Sequence, residues 1–597
     1  MTDTDGGAGS HRAPPRSTYL LAATVTVALL PFVVAMVRAA MSDWEPSGDQ
    51  AMQVLRMHDV ATSHTPLLGP YSRFGWDHPG PLLFWLGAPA LRLAGPVGVM
   101  VLVGVLNAAS MIASVVGARR IGGDRFALVF SAALALMIQS HGATKLIDPW
   151  NPWVTVLPLL CVLVWIPVAA IESSPVALCI AILAGSFAAQ SHLGNVPIVV
   201  AASAAGSVWW WRTHKGVPTA THRPYWALVL LVVLWSGTLL DQVVESPGNV
   251  ERLVEFIVEG PDEASSLGDA LGAAGRELGV PPAWAGSNEG TWPVIPAPAW
   301  TLLVLPAVLV VGHWSPMSRR ITRTSIPVEA ARPLAAYALT VFVVATFAVT
   351  RATGGFIPYV LRWTWPVAMF VSVVAAFAFV DGIASRPSVR RSPSFVLPVA
   401  LVVIASGFNL AAARQATTTP IEPSPLTDRT ARELSAALRS TLPRGSYGLK
   451  WIDVRGFSAA SVGTGANLIR NGYDIDFPLD HAPRVGEFRA TGRTDVPLLM
   501  IVGQTPLKTW VPPEGATRVL RWDHLSPTDR ERADLLEAEV RRAAGIEPDY
   551  LLSYDQASSR DELVRKGADP ASVAELHRLE ADRELYEVWL APPGTHR

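Results

Sequence analysis

The chain has 597 residues, of which 50% are hydrophobic and only 16% charged, with a mean hydropathy of +0.31 and a formal net charge of −1. A soluble protein of this length carries about 25% charged residues, so a large part of this chain does not meet water. The near-zero charge excludes a strongly basic nucleic-acid binder, and two cysteines that fall inside apolar runs, Cys161 and Cys179, give no support to a disulfide framework or a cysteine-rich metal site.

A bilayer core takes roughly 20 apolar residues per helix, within a range of about 17–25. Spans are predicted on that measure at Tyr19–Val37, Pro96–Gly117, Phe126–Ser140, Val154–Ile171, Val176–Ala189, Val196–Trp211, Trp226–Leu240, Trp300–Gly312, Pro333–Val349, Trp365–Val380 and Phe395–Ala412, about eleven in all. Pro81–Leu93 reads either as a re-entrant helix or as the start of the second span. The first span also reads as a signal peptide, since Val37–Met41 offers small residues, but its apolar stretch exceeds the usual 7–15 residues and favours an uncleaved anchor.

Every second connection is rich in arginine: Arg119, Arg120 and Arg125; Arg212, Lys215 and Arg223; Arg319, Arg320 and Arg323; Arg386, Arg390 and Arg391. Arg12 and Arg16 add to the tail 1–18. By the positive-inside bias these segments are cytoplasmic, and an odd number of spans leaves everything after Ala412 outside. The alternate connections are then the outer loops: Ser42–Pro79, His141–Trp153, Gln190–Asn195, Asp241–Ala299 and Arg351–Trp363. They carry the unusual chemistry.

A Pro/Thr-rich linker, Ala416–Pro425, within 413–425, separates the spans (19–412) from a soluble part (426–597). There Asp428 opens a helix with Leu434, Leu438 and Leu442 on one face. Ser526-Pro527 opens another with Asp529 at the capping-box position and Gly545 past its end. Val496–Val502 reads as a buried strand and Leu585–Ala591 as an alternating one. A compact extracytoplasmic α/β domain follows. No P-loop or dinucleotide fingerprint is present.

The first outer loop begins "SDWEPSGDQAMQVLRMHDV" (Ser42–Val60). In a helix over Gly48–Ala61, Asp49, Gln53, Arg56 and Val60 share a face, and Asp49 sits where the helix dipole favours a carboxylate. Capping alone would explain Asp49. The same loop continues "YSRFGWDHPGP" (Tyr71–Pro81), however, bringing Arg73, Trp76, Asp77 and His78 to the membrane face. An interfacial aromatic belt accounts for Tyr71 and Trp76 but not for Asp77 and His78. His58 and Asp59 fall on other faces and read as structural.

A cytoplasmic N-terminus, a first span running into a large outer loop, an acid just past it in "SGDQA" (Ser47–Ala51), the "GWDHPGP" stretch and a C-terminal outer domain together resemble the GT-C glycosyltransferases. That superfamily of polytopic enzymes includes protein O-mannosyltransferases, lipid A aminoarabinose transferases and mycobacterial arabinofuranosyltransferases. The resemblance implies a polyprenyl-phosphate-linked sugar donor, a glycan, lipid or protein acceptor, membrane lipids around the spans, and a carboxylate base in the first outer loop. Where several members carry an Asp-Glu pair, this chain has Asp49-Gln50. Together with its arginine-over-lysine usage, a habit of GC-rich bacterial genomes, the resemblance points to an actinobacterial cytoplasmic membrane and to arabinofuranose or mannose in cell-wall assembly.

One general base suffices for such a donor, because the phosphate already leaves readily; Asp49 is the candidate. Cations are expected around that phosphate. Arg351 and Arg362, with Tyr359 and Trp363 nearby, occupy an outer loop against the positive-inside bias, next to Gly354-Gly355, though snorkelling anchors would also place arginines there. Arg56 is a third candidate. The cavity would take in Gln53, Arg73, Trp76, Asp77, His78, Lys145, Asp148, His192, Asp241 and Tyr359, with Lys145 and Asp148 alternatively a local pair, His192 alternatively a structural hydrogen-bonder, and Asp241 a possible second acid. Asn249–Ile257 looks amphipathic and reads as a helix on the membrane surface. No tight metal-ligand spacing links the acids and histidines, so no cofactor is assigned and a divalent metal is a minor alternative. Rival readings are a transporter or flippase of lipid-linked sugars, which would hide polar residues mid-span, and a non-catalytic assembly protein.

Overall fold

The structure, a computed structural model, describes residues 16–215, 225–259, 266–286, 294–314, 326, 328–352, 355–384, 396–415, 427–453, 458–507, 510–546, 557–581 and 583–595. The tail up to residue 15 with Arg12, the linker 416–425, Gly354, and Arg223, Arg319, Arg320, Arg323, Arg386, Arg390 and Arg391 lie outside the described residues.

Six helices are long and apolar enough to cross a membrane: Ser17–Ala40, Leu82–His141, Asn151–Glu172, Leu193–His214, Glu329–Thr350 and Val396–Arg414. Tyr225–Leu234 and Ser236–Val244, bent by 60° at their junction, make a seventh if taken as one span. The chain is a multi-pass membrane protein; among the described residues six or seven helices meet the length requirement, so the expected count of about eleven is not confirmed. The reason is geometric. Two expected spans, Pro96–Gly117 and Phe126–Ser140, fall in the single 60-residue run Leu82–His141, whose backbone takes positive φ at Gly95 (65°) and Gly123 (71°). Two others form apolar helices of 10–17 residues, Pro175–Ser191 and Ala299–Trp314, at or under the lower limit of about 17.

The chain divides into two compact units: Met1–Arg38 with His78–Gly80 and Val103–Ala416, and Ala39–Asp77 with Pro81–Leu102 and Thr417–Arg597. In the first unit the helix Val156–Glu172 is central. Thirteen of its residues are buried, and it packs on Pro175–Ser191, Val196–His214 and Thr364–Ala384. A helix apolar on every side has no preferred outward face, so it is stable only when surrounded. At one end of the bundle Ser17 Oγ donates to Asp124 Oδ2 at 2.5 Å and Arg119 pairs with Asp124 Oδ1 at 2.6 Å, which ties the start of the first span to the turn at Gly123.

The second unit is built on a five-stranded sheet of β1 (Ser446–Ile452), β2 (Asp474–Asp476), β3 (Leu498–Gly503), β4 (Thr517–Asp523) and β5 (Leu585–Ala591), in the order β2-β1-β3-β5-β4. β2, β1 and β3 are parallel, while β5 runs antiparallel to both β3 and β4. The expected buried strand is β3, with all six residues buried. Its alternate side chains enter different cores, Leu499 and Ile501 on one face and Leu498 and Met500 on the other. The alternating strand is β5. Its Glu587 is nevertheless buried, because Arg518 and Arg521 on β4 cover it at 2.9 and 3.3 Å. Ser526 caps its helix by accepting from Asp529 N at 3.1 Å, and Gly545 closes it at φ 63°, as the sequence predicts.

The larger difference concerns the first outer loop. Ala51 and Leu55 belong to the same core as Leu434, Leu438, Leu449 and Val588, so Ala39–Asp77 folds with the sheet. Trp44 Nε1 donates to Asp428 Oδ2 at 3.0 Å and Ser47 Oγ to Asp428 Oδ1 at 2.5 Å, while Glu45 pairs with Arg470. Close approach requires glycine twice. A Cβ on Gly463 would lie 2.7 Å from Pro46 O, and one on Gly48, whose φ is +49°, would lie 3.3 Å from Ala459 Cβ.

Burial pushes the Asp428 carboxyl up to about 6, with Glu584 adding to it, against the opposing hydrogen bonds from Ser47 and Trp44. An unfolded aspartate titrates near about 3.9. The folded value is the higher one, so the linked stability is full below about pH 4 and is lost as pH rises through about 6. Thermal unfolding of the solubilised protein should therefore show a loss on the order of 2 kcal/mol between pH 4 and pH 7 from this group, and Asp428→Asn should flatten that part of the profile.

Candidate functional site

The expected site residues fall into two sets, one in each unit. In the second unit the helix Gly48–Asp59 starts at Ser47, whose backbone is extended and whose hydroxyl serves Asp428 rather than the helix end. Asp49 is exposed in the first turn, and Gln53, one turn on, is buried. A carboxylate there stays close to the positive end of the helix dipole. Arg56 turns to Asp59 at 2.8 Å, so this candidate phosphate ligand has an intrahelical partner. Asp59, 2% exposed, is also gripped by Arg489 through two bonds of 2.5 and 2.8 Å. It is structural, as its helix face implied.

The segment Tyr71–Asp77 closes on itself through a bridge between those two residues and a bond from Ser72 N to Trp76 O at 3.1 Å. Gly75, at φ 82°, makes the turn possible. Trp76 is buried, whereas Arg73 is exposed and lies over Phe74 at 5.0 Å. Asp77 acts electrostatically on Arg56, whose pKa is lowered first of all by burial.

In the first unit the connections that hold Lys145, Glu277 and Arg362, expected as the second, fourth and fifth outer loops, meet. Arg362 is only 2% exposed. Its guanidinium carbon lies 3.7 Å from the ring centre of Trp365 and 5.4 Å from that of Trp153. Lys145 Nζ lies 4.9 Å from the same Trp153 ring. His141 packs edge-on to Trp153 at 5.5 Å and to Trp365 at 6.5 Å, and Trp150 packs on Tyr359 at 4.8 Å. Below them Glu277, 5% exposed, accepts from Trp365 Nε1 at 2.7 Å and from Thr364 Oγ1 at 3.4 Å. Burial raises the Glu277 pKa, and Arg362 pulls it back. The result is a box of indole faces holding two cations, with one carboxylate behind them.

Other expected members stand apart from that box. Asp148 is 1% exposed and accepts the backbone N–H of Trp150 at 2.8 Å, which shapes the loop. His78 and His192 stack at 5.2 Å. The backbone N–H of Leu193 donates to His78 Nδ1 at 3.0 Å, so the His78 proton sits on Nε2 and the ring is neutral. Burial lowers both, His78 well below the ordinary range and His192 to about 4. Asp241 accepts from Asn249 N at 2.9 Å, and Arg351 Nη2 donates to Ile257 O at 2.9 Å, so these two hold opposite ends of the helix Asn249–Glu259. Among the described residues no three His, Cys, Asp or Glu side chains converge to hold a metal ion.

Sequence reasoning missed Glu277, Trp365, His141 and Arg489. Glu277 ends an amphipathic twelve-residue helix, Leu267–Leu278, and its partner lies 88 positions away, so no local pattern signals it. A weak signal existed for Trp153 and Trp365, as aromatics flanking two loops already named.

No protein-family model and no curated protein matches the chain. Among solved structures it is similar to ArnT from Cupriavidus metallidurans bound to undecaprenyl phosphate, at 13% identity over 85% of this chain and 97% of that one, with a TM-score of 0.47. It is also similar to the archaeal oligosaccharyltransferase AglB from Archaeoglobus fulgidus in complex with an inhibitory peptide and a dolichol-phosphate, at 12% identity over 81% and 69% of the two chains and a TM-score of 0.39. A third is the arabinofuranosyltransferase AftD from Mycobacteria, at 15% identity over 86% of this chain and 38% of that one, with a TM-score of 0.37. At these scores the likeness carries nothing about chemistry, which is read from the chain's own side chains.

Removing one partner of a buried ion pair strands the other, a loss typically of about 3–5 kcal/mol. Arg489→Ala should therefore lower the stability of the second unit by about 3 kcal/mol through Asp59, seen as an earlier unfolding transition. A double variant with Asp59→Asn should recover part of the loss.

Proposed function

We propose that the chain is an inverting glycosyltransferase that moves a sugar from a polyprenyl-phosphate carrier to a glycan, lipid or protein acceptor at the outer face of a bacterial cytoplasmic membrane. The observation that carries this reading is the buried Arg362, stacked on Trp365 and sharing the Trp153 ring with Lys145. A guanidinium presents a planar fork of donors matched to phosphate oxygens, and an ammonium adds a second positive charge. Indole faces beside them suit an apolar lipid chain. As the bond from C1 to the phosphate oxygen breaks, its electron pair stays on phosphate, and cations already in place stabilise that charge.

Asp49 is assigned the general base, taking the proton of the acceptor hydroxyl as oxygen attacks C1; one displacement inverts the configuration. In this reading residues 1–18 are cytoplasmic, 19–412 form the catalytic membrane part, 413–425 are the linker and 426–597 lie outside, where they present the acceptor. The sugar is arabinofuranose or a mannose-like hexose, in actinobacterial cell-wall assembly. A flippase is the rival. It is disfavoured by the position of Lys145, Glu277 and Arg362 in connections at helix ends rather than within spans.

The test is transfer of labelled sugar from a polyprenyl-phosphate donor by purified protein in lipid nanodiscs, with cell-envelope extract as acceptor. Asp49→Asn should reduce kcat by about 10²–10⁴-fold with little change in KM. Arg362→Gln should reduce kcat/KM by a comparable factor, on the order of a hundredfold, through lost phosphate stabilisation. Full transfer by folded Asp49→Asn protein removes Asp49 as the base. Movement of the intact lipid-linked sugar across vesicles, with no transfer at all, overturns the glycosyltransferase reading.

A further inference from the structure

We propose that Asp428 is the positioning residue for Asp49, so that the sheet unit is part of the catalytic apparatus and not only a platform for the acceptor. The inference rests on Asp49 as the general base of the function proposed above, and it adds what holds that base in place. Every residue from Asp43 to Gly48 meets one of two helices of the sheet unit, Thr427–Thr441 or Ala459–Arg470. Arg432 Nη1 donates to Asp43 O at 3.2 Å. Trp44 Nε1 and Ser47 Oγ donate to the two oxygens of Asp428, at 3.0 and 2.5 Å. Glu45 pairs with Arg470. Pro46 O lies where a Cβ on Gly463 would come within 2.7 Å of it, and Gly48 lies against Ala459. Asp49 is the next residue of the chain.

Among these contacts the pair of bonds to Asp428 fixes where the helix Gly48–Asp59 begins. A serine just before a helix ordinarily caps it by accepting a backbone N–H from the first turn. Ser47 makes no such cap, and its hydroxyl donates to Asp428 instead. The helix forgoes a cap, and the residue ahead of Gly48 is tied to the sheet unit in return. Asp428 itself carries a cost that an amide would avoid. Burial pushes its carboxyl up to about 6, so near pH 7 it is ionised in surroundings that favour the neutral form. A carboxylate accepts on both oxygens, whereas an amide has one acceptor and one donor group. Only the acid receives the Ser47 O–H and the Trp44 N–H together. Stability is given up here for geometry, a common trade beside active residues. At the other end of the same helix Arg489 clasps Asp59, and between them Ala51 and Leu55 lie in the core. The helix that carries Asp49 is therefore held against sliding and against turning on its axis.

A double-mutant cycle with the transfer assay in nanodiscs separates positioning from support of the fold. Asp428→Asn and Ser47→Ala are made in the wild type and in Asp49→Asn, each variant first shown to be folded by near-ultraviolet circular dichroism. In the wild type each should lower kcat by roughly ten- to a hundredfold, with the donor KM unchanged. In the Asp49→Asn background the same changes should leave the residual rate as it was, because the group they position is gone. If Asp428→Asn does not fold, Ser47→Ala carries the comparison, since it removes only the bond ahead of the base. Equal losses in both backgrounds, a loss carried by KM, or wild-type kcat in both folded variants overturns the inference and leaves Asp428 as a support of the fold. Full transfer by Asp49→Asn alone overturns the base assignment, and the inference with it. Absence of transfer by the wild type overturns the proposed function itself and both readings built on it.

Discussion

The carboxylate of Asp428 receives the Ser47 hydroxyl and the Trp44 indole, and the position of the candidate base follows from that. Ser47 is fixed, Gly48 must take positive φ against Ala459, and the helix can start only there, with Asp49 in its first turn. The helix then buries Ala51 and Leu55 in the core beneath β1 and β3. A residue as exposed as Asp49 gains its precision from neighbours that are not. A catalytic carboxylate on a freely hinged loop would lose orientation, which is a large part of what a general base contributes. The order of causes runs from a buried acid in the sheet unit, through a turn, to an exposed acid at a helix N-terminus.

The box around Arg362 solves a different problem. A buried guanidinium stripped of water needs compensation on every side. Here the π-faces of Trp365 and Trp153 lie against the cation, and Glu277, which accepts the Trp365 indole N–H at 2.7 Å, adds electrostatic attraction. A cation–π contact is worth about 0.5–2 kcal/mol, too little alone to keep an arginine 2% exposed.

What the sequence made legible and what it hid divide by range. Hydropathy gave the spans as segments, and capping residues gave the helix at Ser526 and its end at Gly545, because those signals are written within a few residues. The buried strand Leu498–Gly503 was legible for the same reason. The number of full-length spans was not, since two expected spans run on as one helical segment, Leu82–His141, through positive φ at Gly95 and Gly123. Nor could the sequence tell that Ala39–Asp77 folds with the sheet, which depends on contacts 381 and 384 positions apart, Ser47 and Trp44 to Asp428. Lys145, Tyr359 and Arg362 were named from chemistry out of place in expected outer loops, and the structure sets each of them against an indole. Glu277 was not, because an acid at the end of an amphipathic helix is ordinary until its partner is known.

Geometry also separates the two arginines of the fifth outer loop. The last carbonyls of a helix have no intrahelical partner, and Arg351 gives its Nη2 to Ile257 O, near the end of Asn249–Glu259. At the other end Asp241 takes the N–H of Asn249, one of the orphaned first donors. An acid at the start and a base at the finish both oppose the helix dipole favourably. The helix so held turns Val250, Val254, Ile257 and Val258 outward, in the pattern of a helix lying along a lipid surface. Asp241 and Arg351 therefore act on the protein's own backbone, while Arg362 presents its charge within an aromatic box. The charge that the positive-inside bias failed to explain is accounted for twice over, once as a fastening and once by indole faces.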